Sequence, residues 1–468
     1  MGSNPTPRTN LLVLPVLVVP SSRPSPDRAK RAPGPQGRGQ LRALRTLSAD
    51  LYGTLDRLHG EHGPIFRIGR ARAQVLWVAS PSAAADLLGR KRPDLTMGKA
   101  YTFLEPVGGE GALIAADRPA HGQRRRPLQP SFQATQVRQW SERLDHHVGP
   151  WLEAKVRGGE SFPFLASLRP VLLDVVVDLM LGRSALAGDP VWKEQLLGMM
   201  AYSTRPLGQQ WLKVPLPGTA WARFRVAREE VDRRLEEAVR ERVARGAPPA
   251  GQAGDLLDVI LGMAEAGAYE TSGREPLRAI RDEIMGLVSA GFETTSSAAA
   301  WTVAFAESEN GTGTAFRQRL ADLSPDALQD DPLVDAFLQE TLRLRPPAPV
   351  LLRRARETTA VDGFHVPRGS RIALATWLLH RDPSLHPQPH RFAPERFRDG
   401  KPDRWAYLPF GYGARHCIGG AMARTLLKRT AWWLYGRHDT VEAHNLTLQP
   451  VGMALRPARD PCLRLRPR

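Results

Sequence analysis

The sequence predicts a mainly α-helical fold with small β-sheets, built as a single large domain. The first observation is that several long segments, among them residues 226–245 and 277–307, repeat apolar residues with the 3.6-residue period of a helix. The second is that strand-like segments are few and short, at 64–70, 74–80 and 365–377. The third is that no linker separates two cores after residue 41.

The chain begins with a segment of different composition. Residues 1–40 are rich in Pro, Arg, Ser and Gly and have no sustained period, so we expect a disordered leader before a folded domain at 41–468. The apolar run at 11–20 contains prolines and is far shorter than the roughly 20 residues that cross a bilayer. It also lacks the features of a secretory signal, so we predict no transmembrane anchor.

The globular elements follow in order. Residues 48–63 predict an amphipathic helix with a serine cap and a glycine stop, and two short strands and a helix at 81–91 come next. Helical periods recur at 135–156 and 171–182 before the two long helices named above. The result is a helical domain with a small sheet near its start and in its last third.

Composition narrows the class of protein. The 468 residues are 42% hydrophobic and 24% charged, as in a globular protein. The net charge of +17 comes mostly from arginines that are spread along the chain, so we expect no nucleic-acid partner, although a basic face for an acidic protein is compatible with it. Two cysteines, Cys417 and Cys462, make no disulfide framework and indicate a reducing, cytoplasmic location.

The most informative motif is "FGYGARHCIG", which surrounds Cys417. A thiolate is a strong iron ligand if it is held deprotonated and aimed at the metal, and the start of a helix after the cysteine favours the thiolate. The glycines permit a tight turn, the phenylalanine can cover the sulfur, and the arginine can reach an anionic group on a flat ligand. The residues concerned are Phe410, Gly411, Gly413, Arg415 and Gly419.

An isolated cysteine at a helix start is more often a buried structural residue. Here six residues coincide at fixed offsets, which chance produces on the order of once in a million sites. The loop resembles the haem-binding signature of the cytochrome P450 family, and the resemblance covers roughly residues 41–468. It implies the P450 fold, a haem b cofactor ligated by Cys417, and a bacterial, soluble haem-thiolate monooxygenase.

A second motif, "AGFETT", lies inside the predicted helix at 277–307. Gly291 and the threonines are poor choices for helix stability, since glycine costs about 1 kcal/mol relative to alanine, which suggests a purpose. The resemblance implies an oxygen-binding groove at Ala290 and Gly291, with Glu293 as the acid and Thr294 as the alcohol that deliver protons. The alternative is a helix kink without chemistry.

Further matches concern the cofactor's anionic groups. His121 and Arg125 are spaced i, i+4, which lets both contact one anion from the same helix face. They resemble the family helix that holds a haem propionate. Arg353 is the candidate for another propionate contact, with its neighbour Arg354 as a rival.

Other segments are expected to be structural. Glu340 and Arg343 are spaced i, i+3, and by resemblance they form a buried network with Arg396. One departure from the family pattern is the segment 306–320, "AESENGTGTAFRQRL", where the expected apolar, helix-rich continuation is missing.

The resemblance implies insertion of one oxygen atom from O2 into an apolar substrate, by C–H hydroxylation or epoxidation in secondary or lipid metabolism. Two alternatives stay open: a non-catalytic haem sensor, against which Glu293 and Thr294 argue, and a peroxide-driven peroxygenase. No flavin or nicotinamide domain fits in the chain, so electrons from NAD(P)H require a ferredoxin reductase and an acidic ferredoxin. The predicted docking residues are Arg124, Arg126, Arg424, Lys428 and Arg429.

The substrate pocket is predicted only by its apolar character. The expected walls are residues 101–111, 197–212 and 348–352 together with Phe292, although apolar residues of such segments are more often ordinary core. A terpenoid, a fatty acid, a macrolide and an aromatic compound fit this description equally well.

Overall fold

A computed structural model describes residues 29–70, 74–89, 91–182, 186, 188–203, 213–246, 255–270, 275–308, 311–400, 402–447, 449–451 and 455–468. The predicted leader lies outside the described residues as far as position 28. Residues 29–36 run along the domain, where the N–H of Lys30 donates to Gly363 O at 3.0 Å and Ala32 is buried. The boundary drawn at residue 40 falls inside the first helix.

Helices account for most of the described residues, which confirms the predicted fold class. Their bounds are α1 Arg38–Ala49, α2 Leu51–His62, α3 Pro81–Ala84, α4 Glu105–Gly108, α5 Ala120–Leu128, α6 Ala134–Gln139, α7 Ser141–Gly158, α8 Phe164–Leu181, α9 Pro190–Ser203, α10 Ala220–Arg245, α11 Leu256–Glu265, α12 Pro276–Ala306, α13 Gly311–Asp322, α14 Pro332–Leu344, α15 Thr376–Leu379, α16 Glu395–Arg398 and α17 Gly420–Tyr435. In the described part of the chain, no helix combines the length and apolar character that crossing a bilayer requires.

The strands are short, and several have only two residues. Their bounds are β1 Ile65–Ile68, β2 Val75–Val78, β3 Leu95–Thr96, β4 Phe162–Pro163, β5 Leu351–Ala355, β6 Thr359–Val361, β7 Phe364–Val366, β8 Arg371–Leu374, β9 His438–His444, β10 Pro450–Val451, β11 Arg456–Pro457 and β12 Cys462–Pro467. The largest sheet has the order β1-β2-β8-β5-β3, in which β2 and β8 are parallel and the other pairs antiparallel. This sheet joins the start of the domain to its last third, as predicted.

Helix α12 is the central element of the domain. It is buried along most of its 31 residues and packs against α8 on one side and α17 on another. Its apolar residues, from Ile284 to Phe305, belong to the cores on both sides of it. A helix without a solvated face needs apolar or small residues all round, and the sequence 284–306 supplies them.

Two local predictions are wrong. The cap of α2 is Asp50, whose side chain accepts from the N–H of Gly53 at 3.0 Å, while the glycine stop at Gly63 is confirmed by its φ of 83°. The segment 306–320 does continue in a helix, α13, because Phe316 and Leu320 lie one turn apart and are fully buried.

Candidate active site

The cysteine loop folds back on itself before α17 begins. The N–H of Cys417 donates to Phe410 O at 2.8 Å, so the two ends of the motif meet. Gly411 and Gly413 have φ of 66° and 69°, a region that favours glycine. A Cβ on Gly413 would lie 2.5 Å from Leu88 O, so this position also has no room for a side chain.

Cys417 is a free thiol with an exposed side chain. Burial nevertheless raises its pKa. The backbone N–H of Gly419 and the guanidiniums of Arg125 and Arg424 lower the pKa of the thiol in turn. The first turn of α17 follows immediately, and its positive dipole end also favours a thiolate.

Residues 290–295 of α12 include two small residues, Ala290 and Gly291, and two hydroxyl residues, Thr294 and Thr295. Thr294 Oγ1 donates to Ala290 O and Thr295 Oγ1 donates to Gly291 O, both at 2.7 Å. Ala290 is exposed and Thr294 half-buried, although the neighbouring residues of the helix are mostly buried. Ala290 and Thr294, one turn apart, therefore form an accessible stripe on an otherwise covered helix.

One side chain connects this stretch of α12 with the cysteine loop. A Cβ built on Gly291 would lie 3.8 Å from Met422 Cε, and one built on Gly419 would lie 3.9 Å from the same methyl group. Met422 belongs to the first turns of α17 and is buried. The two predicted motifs, which are distant in the sequence, thus lie close to the same side chain.

Glu293 is buried beside the stripe and is held by two arginines. Its Oε2 lies 2.8 Å from Arg169 Nη2 of α8, and its Oε1 accepts from Arg456 of β11. The carboxylate therefore points toward α8 and β11, while Thr294 presents its hydroxyl to the accessible side of α12. The acid and the alcohol are adjacent in sequence but have different partners.

A group of three arginines and one histidine lies beside the loop. We name these residues the Arg415 cluster: Arg415, Arg353, Arg125 and His121. The Arg415 guanidinium donates to Ala116 O, and Arg125 donates to His416 O at 2.7 Å. Burial lowers the pKa of Arg415 to about 10, and the positive charges of Arg353 and Arg125 add to this effect. Burial is also the main cause that lowers the pKa of Arg353 and of Arg125.

Among the residues that the structure describes, one carboxylate, that of Asp117, lies beside these charges. Asp117 Oδ1 lies 3.6 Å from Arg415 Nη2, and the same carboxylate accepts from the N–H groups of Met97 and Gly98. The pKa of His121 is lowered to about 3, mainly by burial and further by the positive charges of Arg415, Arg125 and Arg124. The ring is therefore neutral at pH 7. A neutral imidazole donates one N–H and accepts at its other nitrogen.

The donor set fits an iron porphyrin. Partly buried cations that repel one another are favourable only when an anion lies among them, and two propionates supply two negative charges. The soft sulfur of Cys417 is a typical iron ligand and lies in the adjacent loop. Because residues 411 and 413 are glycines, no side chain projects from the loop backbone at these two positions.

The structure separates Arg353 from its rival Arg354. The positive charge of Arg353 on β5 lowers the pKa of Arg415. Arg354 Nε instead donates to Gly369 O at 3.2 Å, away from the cluster. Successive strand residues point to opposite faces of a sheet, which explains the difference.

The predicted ferredoxin surface needs correction. Three of its five residues are buried and paired: Arg124 with Glu283 at 3.3 Å, Lys428 with Asp335 at 2.7 Å, and Arg429 with Asp145. Only Arg126 and Arg424 of that set are exposed. Helical basic residues look solvated in a sequence, and the distant carboxylates that pair with them give no local signal.

The predicted pocket walls are also revised. Phe292 is fully buried in the main core, where the Arg169 guanidinium lies 5.5 Å from its ring, so it is not a wall of the site. Met199 and Met200 belong to the same core. Residues 204–212 of the predicted wall lie outside the described residues.

The expected structural network is confirmed; we name Glu340, Arg343 and Arg396 the Glu340 network. Arg343 donates to both carboxylate oxygens of Glu340, at 2.7 and 2.8 Å, and both side chains are fully buried. Arg396 Nε contacts the same carboxylate at 3.2 Å, and the N–H of Ala393 donates to it at 2.8 Å. The remaining Arg343 donors reach backbone carbonyls of residues 380, 389 and 391.

Sequence reasoning missed four residues of this region. They are Asp117, Arg169, Met422 and Arg456. Asp117 gave no local signal, because its carboxylate accepts from the N–H groups of Met97 and Gly98 and does not cap the helix that begins at Ala120. Arg169 and Arg456 come from segments distant from any motif and gave none either.

Comparison with known proteins agrees with this geometry. The family model described as "Cytochrome P450" matches residues 38–434. A "Sterol 14alpha-demethylase" of Mycobacterium bovis is 28% identical over 414 residues, covering 83% of this chain and 86% of the relative. A "Putative cytochrome P450 137" of Mycobacterium tuberculosis is 27% identical over 422 residues, covering 82% of this chain and 81% of the relative.

Solved structures show the same fold. The structure titled "Retinoic acid bound cyanobacterial CYP120A1" superposes with a TM-score of 0.77 and 24% identity, covering 94% of this chain and 100% of the other. The match extends over the helical body and the small sheets alike. With a thiol loop, a cationic cluster and a hydroxyl-bearing central helix arranged as described, the chain belongs to the cytochrome P450 family and is a haem-thiolate monooxygenase.

Proposed function

We propose that this enzyme inserts one oxygen atom from O2 into an apolar small molecule, by C–H hydroxylation or epoxidation, in secondary or lipid metabolism. The observation that carries the proposal is that Gly291 and Gly419 both lie close to the methyl group of Met422, because this places the thiol loop beside the hydroxyl-bearing stretch of α12. A ligand-binding haem protein needs the thiol alone.

Each residue has a defined task in this proposal. Cys417 would ligate the haem iron, the backbone around Gly411, Gly413 and Gly419 would surround the sulfur, and Phe410 would cover it. His121, Arg125, Arg353 and Arg415 hold the two propionates. When bound, haem supplies the iron at which O2 is reduced and cleaved, favoured by electron donation from the thiolate.

The proton chemistry falls to Glu293 and Thr294. Thr294 Oγ1 donates to Ala290 O at 2.7 Å, so its lone pairs remain able to accept a proton while the hydroxyl stays oriented. Glu293 is tied to Arg169 and Arg456, so we propose that its carboxylate leaves one of these arginines when it delivers a proton toward Thr294. The small, exposed side chain of Ala290 leaves the side of α12 that carries the Thr294 hydroxyl accessible, as a small oxygen ligand requires.

Electrons are proposed to come from NAD(P)H through a ferredoxin reductase and a ferredoxin. The exposed Arg126 and Arg424 are the remaining candidates for contact with an acidic partner. Arg424 also lies 5.2 Å above the Phe410 ring, next to the cysteine loop.

The first experiment tests the iron ligand. The haem-loaded protein should give the strongly red-shifted Soret band of a thiolate-ligated carbonyl adduct after reduction, and Cys417→Ser should abolish it. An unchanged band in the serine variant would exclude Cys417 as the ligand.

The second experiment tests the protons. Thr294→Ala should lower the ratio of product formed to electrons consumed, whereas Thr295→Ala, whose hydroxyl back-bonds to Gly291 O in the same way, is the matched control and should keep the ratio. Product with peroxide alone, and none with a reductase system, would favour the peroxygenase alternative.

A further inference from the structure

A second cationic site lies outside the haem-binding region. An open cleft of about 440 Å³ lies beside β3, β5 and the turn after β7. Four of the side chains that line it are cationic and one is anionic: Lys99, Arg354, Arg356, Arg368 and Asp117. None of the four cations belongs to the Arg415 cluster or to the cysteine loop.

The one carboxylate is already shared. Asp117 accepts from the Thr96 hydroxyl and two backbone N–H groups, and it lies 3.6 Å from Arg415 on the haem-binding side. Its distance to Arg356 Nη2 on the cleft side is 3.5 Å. These contacts hold the pKa of Asp117 below its usual range, and they leave little negative charge for the cleft.

The other cations have no acidic partner among the residues that the structure describes. Arg354 donates to the backbone carbonyl of Gly369 at 3.2 Å, and Lys99 and Arg368 are exposed. A solvated arginine surface commonly carries compensating carboxylates, as the Arg–Glu pairs along α10 do at 2.7 to 3.5 Å. In this cleft no described carboxylate neutralises the positive charges of Lys99, Arg354 and Arg368.

We propose that the cleft binds a phosphate-bearing small molecule with at least two negative charges. The guanidinium fork matches phosphate oxygens in a bidentate manner, and three arginines and a lysine converge here. The volume lies within the roughly 300–1,000 Å³ of small-molecule sites. The concave shape fits a small molecule better than the flatter face of an acidic protein.

The test is isothermal titration calorimetry of the full, haem-loaded chain with inorganic pyrophosphate at constant ionic strength. We expect saturable binding at one site. Each lost charged contact weakens binding about tenfold, so Arg356→Gln/Arg368→Gln should weaken it about a hundredfold. The matched control, Arg225→Gln/Arg240→Gln on exposed α10 positions, removes the same charge elsewhere and should leave affinity within about twofold of the wild type.

Three results would overturn the proposal. One is no saturable heat with wild-type protein up to roughly 10 mM pyrophosphate. Another is an equal loss of affinity in both double variants, which would indicate a response to net charge alone. The third is cleft-dependent binding of polyglutamate without binding of pyrophosphate, which would assign the surface to an acidic protein. Circular dichroism checks that each variant is folded.

Discussion

The two groups of buried arginines in this protein differ in how their charges are balanced. In the Glu340 network the Arg343 guanidinium donates to both oxygens of one carboxylate and to three backbone carbonyls, so its donors are used. In the Arg415 cluster three arginines and a neutral histidine share one peripheral carboxylate, and burial lowers the pKa of Arg415 and Arg353. Buried charges whose hydrogen bonds are made within the protein stabilise the fold. Cations with too few anionic partners indicate that an anion is absent.

The largest effect is expected from breaking the satisfied network. Arg343→Leu leaves the carboxylate of Glu340 buried with fewer partners, so the free energy of unfolding should fall by about 3–5 kcal/mol. Urea denaturation measures it. Arg391→Gln, with a side chain 63% exposed, is the control and should change stability by less than about 1 kcal/mol. Equal losses would contradict the distinction.

Arg415→Leu should act on the cofactor and not on the fold. Removing a buried cation that its neighbours repel costs the haem-free protein little, while loss of a charge-assisted contact worth about 1.5–3 kcal/mol should speed haem dissociation roughly 10- to 100-fold. Haem transfer to excess apomyoglobin gives the rate. A drop in haem-free stability as large as that of Arg343→Leu would show that Arg415 is chiefly structural.

Adjacent positions on β5 allow a matched comparison. Arg353→Met should accelerate haem dissociation by about tenfold, because it removes a cation of the Arg415 cluster. Arg354→Met, on the other face of the strand, should leave the rate unchanged. If both variants lose haem equally fast, the two faces of β5 are not functionally separate.

Histidines in the two regions give the smallest effect. The pKa of His121 is lowered to about 3 and that of His386 to about 4, both mainly by burial. Because the unfolded chain takes up these protons near pH 6.5 and the folded chain does not, stability is lost as pH falls from about 6.5 toward these values. One proton corresponds to a slope of up to about 1.4 kcal/mol per pH unit.

Haem binding should distinguish the two histidines. Propionates beside His121 favour its charged form, so the slope lost in His121→Gln should be larger in haem-free than in haem-loaded protein. His386→Gln should reduce the slope equally in both forms, because it lies by the Glu340 network. Urea denaturation across pH 4–7 measures both, and a haem-independent His121 would contradict its place in the cluster.

The sequence was sufficient where function depends on local spacing. The cysteine loop, the i, i+3 pair at 340 and 343, and the long periods of α10 and α12 each lie within one continuous segment. Prediction from the sequence failed where the partner of a residue comes from a distant part of the chain, as in the ion pair of Lys428 with Asp335. The helix α13 was missed for the same reason. The rings of Phe316 and Phe337 are stacked with their centroids 3.8 Å apart, and no local sequence pattern indicates this contact.

Met422 lies between the start of α17 and the Gly291 turn of α12. Its methyl group is within van der Waals reach of a Cβ built at position 291 or at position 419, and an unbranched thioether adapts to such gaps. Side chains of graded size at position 422 would act as spacers of different height, and they would tune the space beside the cysteine loop in an engineered enzyme while every ligand and proton donor stays in place.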